Sequence, residues 1–140
     1  MKGTLHMEHL DTLKTKMTTN DDFKETFDFF FDNFAEDPDF MESGSPVENE
    51  MLMQAAKTIA RRMLGEEQVT LSNFMLMGLP DFHFFHGVGF VNRYMFNIFY
   101  FDDIDTGMAA CAAFPPGNSE TKMSRFTCSE LGLLVGPSLN

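Results

Sequence analysis

At 140 residues with 44% hydrophobic content, the chain has the size of one ordinary domain and enough apolar side chains for a core, which excludes a largely disordered polymer. A net charge of −11, with −10 of it in residues 17–50, repels phosphate backbones and anionic lipid, so no nucleic acid and no membrane is expected as a partner. Seventeen Phe and twelve Met without Trp leave two uses open: a phenyl core sealed by methionine, or an exposed Phe/Met surface that takes a partner.

The opening MKGTLHMEHLDTLK lacks the apolar stretch of a secretory signal, and no apolar run approaches membrane-span length, so a cytoplasmic protein is expected. Leu5, Leu10, Leu13 and Met17 predict a modest amphipathic helix over residues 5–17. A break at residues 18–21 supplies a new N-cap, Thr19 or Asn20. A second helix over residues 20–36 follows, with Phe23, Phe27, Phe30, Phe31 and Phe34 on one stripe. Phe29 falls outside that stripe and is the one sign of a docking surface on this helix. After a loop over residues 37–46, Ser45-Pro46 is expected to open a third helix that runs to Leu64, with Gly65 as its C-cap.

Residues 68–77 suit a first strand, and Gly78-Leu79-Pro80-Asp81 reads as a turn. Residues 82–114 carry three apolar runs split by Asn92-Arg93 and by residues 102–107, the pattern of an antiparallel meander. In the first run Phe82, Phe84, Val88 and Phe90 share a face interrupted by His86. Over residues 94–101 both faces are largely apolar, so both need cover: helices on one, and a curled sheet, a ligand or a second subunit on the other. The small residues of 108–114 admit a close neighbour or leave room for a ligand, and residues 122–128 form a polar strand suited to a sheet edge. Residues 131–140 read as a tail or short apolar latch.

Four motifs invite chemistry. His83 and His86 lie three apart in a strand-like segment, which sends them to opposite faces unless a bulge at Gly87 intervenes, so no metal site is expected. DDIDTG over residues 102–107 lacks the further ligands of a calcium loop and suits a hairpin turn. Gly87-Val88-Gly89 lacks the glycine, lysine and helix start of a phosphate loop. Cys111 and Cys128 are read as buried reduced thiols, with a disulfide open if the last two strands bring them together. No cofactor is implied.

These elements compose one α+β domain: three N-terminal helices packed on a twisted antiparallel meander of four or five strands, with residues 1–66 helical, 67–130 sheet and 131–140 tail. In outline this resembles the cone-shaped NTF2-like class, which places a first strand among its helices; no helical segment here is visibly interrupted, and the likeness carries no function. Two functions fit. The first is a non-catalytic interaction domain, self-associating or docking a protein partner through an apolar sheet face. The second is a pocket, binding or enzymatic, for an apolar small molecule between helices and sheet, with His86, Tyr94, Tyr100 and His83 as polar contacts.

Overall fold

A computed structural model describes residues 2–19, 23–35, 37, 45–46, 50–103, 106–117 and 120–133. Helices α1 (Lys2–Thr19) and α2 (Phe23–Phe30) come first, and α2 continues as a wider π-turn over Phe31–Ala35. A two-residue strand, β1 (Ser45–Pro46), precedes helix α3 (Glu50–Leu64). Strands β2 (Leu71–Leu79), β3 (Phe84–Val91), β4 (Tyr94–Phe101), β5 (Met108–Phe114) and β6 (Lys122–Thr127) follow, then a single helical turn, α4 (Cys128–Leu131). Every neighbouring pair is antiparallel and the spatial order equals the chain order, so the α+β meander with helices before the sheet is the observed fold.

The two-sided strand over residues 94–101 is covered by this chain's own helices on both faces. On one side Phe99 and Phe101 of β4 pack with Leu10, Leu13 and Met17 of α1 and with Phe27, Phe30 and Phe34 of the second helix. On the other, Phe96, Ile98 and Tyr100 pack with Leu52, Ala55, Ala56 and Ile59 of α3 and with Cys128 and Leu131 of α4. This corrects the expectation of helices on one face only: α3 crosses to the far side. The alanines of β5 serve both layers, Ala110 and Ala112 under α1–α2 and Ala109 and Ala113 under α3, because small side chains admit close helix approach. Each fully buried Phe contributes about 1.5–3 kcal/mol of transfer free energy, and Phe30 adds a parallel stack on Phe99 with ring centroids 4.3 Å apart. Phe29 is not presented to solvent: it lies half-buried, with His9 of α1 edge-on to its ring at 5.9 Å and Lys16 Nζ 5.5 Å above it.

Four boundaries differ from the sequence reading. Ser45 and Pro46 do not open α3; they pair with Leu76 and Met75 at the edge of β2, a place where proline's missing N–H is tolerated. Gly78 and Leu79 remain in β2, and the turn moves to a 3₁₀ segment at Pro80–Phe82 that ends on left-handed His83. Cys128 leaves β6 to begin α4, held by a capping box in which Thr127 and Glu130 satisfy each other's backbone amides. Leu131 and Leu133 are buried under α3, so the start of the expected tail is a latch; residues 134–140 and the expected cap at Asn20 fall outside the described residues. The bulge lies not at Gly87 but in β2, where Asn73 and Phe74 oppose a single residue of β3 and Asn73 takes a left-handed φ of 55°. It seats the Phe74 ring against Gly89, where a Cβ would come within 2.5 Å of that ring.

Candidate functional site

Cross-strand partners share a sheet face, so the register divides the α1–α2 face into rows. Leu79, Phe84, Phe101, Met108 and Thr127 form one row, and Met77, His86, Phe99, Ala110 and Arg125 the next. The helices cover both, and Arg125 closes the second by donating Nη1–H to the carbonyl of Met17 at 2.8 Å. In the third row, Met75–Val88–Asn97–Ala112–Met123, Asn97 and Ala112 are buried, Val88 and Met123 half-buried, and Met75 exposed. The fourth, Ser72–Phe90–Met95–Phe114, is exposed from Ser72 to Met95, while Phe114 is half-buried against the helix-covered cluster. Phe90 is 43% exposed, Met95 40% and Met75 37%, three of the four large apolar side chains that reach solvent among the described residues. No side chain of rows three and four carries a charge.

His86, the polar break in the apolar face of β3, is a buried neighbour of that surface. Its Nε2 lies 2.9 Å from Asn97 Oδ1, and its ring meets Phe30 edge-on at 4.7 Å. Burial lowers its pKa from 6.5 to about 4 against a smaller opposing effect of the Asn97 bond, so it is neutral at physiological pH and Nε2–H donates to Asn97.

His83 occupies a different place. Its Nδ1 lies 3.0 Å from Asp102 Oδ1, while the Asp102 amide donates to the His83 carbonyl at 3.0 Å. Burial pushes the Asp102 carboxyl above its usual range, and the His83 bond pulls the other way. His83, Asp81, Phe82 and Asp103 line one wall of a cleft of about 230 Å³ whose other wall is Leu10, Asp11 and Lys14 of α1. Asp103 shapes the adjoining turn by accepting from the Thr106 amide and hydroxyl, each at 3.2 Å.

Tyr94 and Tyr100 belong to the α3 layer, at opposite ends of β4. Tyr100 stacks on Phe85 at 5.4 Å, and burial pushes its phenol well above the usual range. Tyr94 lies beneath the Arg93 guanidinium, 5.1 Å from its ring centre. The four expected contacts therefore do not converge: His86 faces α2, the tyrosines face α3, and His83 belongs to the corner cleft. Cys111 and Cys128 are free buried thiols; burial raises Cys111 strongly, and Cys128 is pushed up to about 12 by burial and then by Asp102 and Asp103, which leaves both unreactive at neutral pH. Among the described residues no group of three or more His, Cys, Asp or Glu is placed to hold a metal ion, and no helix is long and apolar enough to cross a membrane.

Two partnerships were missed by sequence reading. Counting back from the Asn92–Arg93 turn, one residue per strand at each step, places Asp102 opposite His83; the turn therefore held the signal. The same register sets Asn97 one row from His86. Compared with family models, curated proteins and solved structures, the chain matches none.

Proposed function

We propose that this chain is a non-catalytic interaction domain that self-associates through the uncharged end of its α1–α2 sheet face, with Phe90, Met95 and Met75 at the centre and Val88 and Phe114 beside them. The carrying observation is the coincidence of exposure and neutrality: three of the four exposed large apolar side chains, the cross-strand pair Phe90 and Met95 and Met75 in the adjoining row, lie in two rows without charge. In a chain of net charge −11, two copies repel over most of their surface, so contact favours the part that is uncharged and apolar. A two-fold axis through the row sets Phe90 of one copy against Met95 of the other, the self-complementary arrangement of a symmetric dimer. Burying the exposed part of each of these side chains yields about 1 kcal/mol, so removing two from each copy weakens association by about 4 kcal/mol, on the order of a thousandfold. Sedimentation velocity across a range from about 1 to about 500 µM tests this: wild type dimerises and the Phe90→Ser/Met95→Ser double variant remains monomeric at the wild-type midpoint. A wild-type chain that is monomeric throughout that range refutes the reading.

A second reading is favoured by the His83–Asp102 pair in its cleft. A carboxylate holding Nδ1–H leaves Nε2 as the basic nitrogen, which suits proton exchange with a small bound molecule. At about 230 Å³ the cleft admits a fragment rather than a drug-sized ligand. Amide shifts of Asp81, His83 and Asp103 during titration with fragment mixtures test it, and unmoved signals remove it.

A further inference from the structure

The two edges of the sheet differ. The β2 edge is partly occupied by β1, whose Ser45 and Pro46 pair with Leu76 and Met75. On β6, which pairs with β5 through one side, no strand occupies the other side among the described residues. An edge without a neighbour offers a row of backbone donors and acceptors to any extended segment that fits beside it.

A cleft lies at that edge. It encloses about 540 Å³ and is lined by Glu120, Thr121, Lys122, Met123, Ser124 and Phe126, with Arg62 and Met63 of α3 opposite. Residues 122–124 alternate between the two sheet faces, so a cleft that touches all of them follows the backbone edge of β6. Its chemistry is mixed in a defined order. Lys122 stands at the start of the strand, exposed and without an ion pair among the described residues, and Phe126, near the other end, meets the α3 core with Met63 beside it. Arg62 is fixed at the cleft wall by Glu130, Nη1 to Oε1 at 2.6 Å, and Glu130 is itself held by the capping box of α4. Two of the ten Lys and Arg residues of an acidic chain thus stand on one cleft, against the single carboxylate of Glu120 among its lining residues.

We infer that β6 accepts an extended peptide segment of a partner protein as an additional strand, with an acidic side chain opposite Lys122 and an apolar one opposite Phe126. Main-chain pairing along the edge supplies the attachment and the alternating side chains supply the selectivity, the division of labour in strand addition. A second copy of β6 is the wrong occupant: the strand KMSRFT carries no acidic side chain to set opposite Lys122. The site shares only Met123 with the neutral rows of the α1–α2 face, and neither proposal depends on the other.

The test uses the full chain and a capped peptide, Thr-Val-Thr-Thr-Val-Glu, which in antiparallel register sets Val opposite Phe126 and Glu opposite Lys122. A matched peptide ending in Lys is the control. Amide chemical shifts should move at residues 121–127 on titration with the acidic peptide, and the acidic peptide should bind about tenfold more tightly than the control, the change from an attractive to a repulsive cross-strand charge pair. In Lys122→Glu, a substitution at an exposed position that leaves the core untouched, the preference should invert. Equal affinity for the two peptides, shifts confined to the Met75–Phe90–Met95 surface, or no shift at about 5 mM peptide would each overturn the proposal.

Discussion

Replacing His86 with Gln should remove a specific part of the pH dependence of folding. In the unfolded chain this histidine takes up a proton near pH 6.5, and in the folded chain only near pH 4, because the charged ring would be buried against Phe30. Between those values the unfolded state binds more protons, so the contribution of His86 to stability is fully present above pH 6.5 and is lost as pH falls toward 4. Working the two binding curves through, the loss between about pH 7.5 and about pH 5 is about 2 kcal/mol. The Gln amide can still donate to Asn97 Oδ1 but takes no proton, so His86→Gln keeps the buried bond and loses the titration. Urea unfolding followed by far-ultraviolet circular dichroism at the two pH values, on both proteins, isolates the term because the carboxylates are common to both. Wild type should lose about 2 kcal/mol more than the variant on acidification, and losses equal within about 0.5 kcal/mol would refute the buried, neutral histidine.

Three further outcomes follow from the packing. Phe30→Ala removes a fully buried ring stacked on Phe99 and should cost about 3–5 kcal/mol in urea unfolding, with both helices of that face losing protection from amide exchange. Gly89→Ala should cost about 1–3 kcal/mol, because its Cβ would lie 2.7 Å from the Phe74 Cα, whereas Gly87→Ala meets only the end of Leu52 at 3.3 Å and should change stability by less than about 0.5 kcal/mol; comparing their denaturation midpoints decides it. Thr127→Ala breaks the capping box of α4 and should cost about 1 kcal/mol, read as a lower melting temperature and faster amide exchange at Glu130.

Local pattern made most of the fold legible. The phenylalanine stripe of α2 carries its own period, and Phe27, Phe30 and Phe34 are buried as that period requires. The meander was visible because its strands and turns are contiguous in sequence, so antiparallel order needed no long-range information. The two-sided apolar character of residues 94–101 also stated that both faces must be covered. It did not state by what, since an apolar side chain records burial and not the identity of its neighbour.

Tertiary structure alone decided the rest. Placing α3 on the face opposite α1 and α2 turned a supposedly open sheet face into core, and left the exposed apolar surface at Met75, Phe90 and Met95. The bulge at Asn73 and Phe74 reset which β2 side chains share that surface, because one extra residue inverts the alternation of a strand. His86 looked like a ligand contact in the sequence because a polar residue in an apolar run reads identically whether its partner is a ligand or an asparagine; the register of β3 and β4 brought Asn97 to it. The sequence determined which side chains leave water, through periodicity written into adjacent residues. Which groups meet was settled by register and by helix placement, which depend on contacts between residues far apart in the chain.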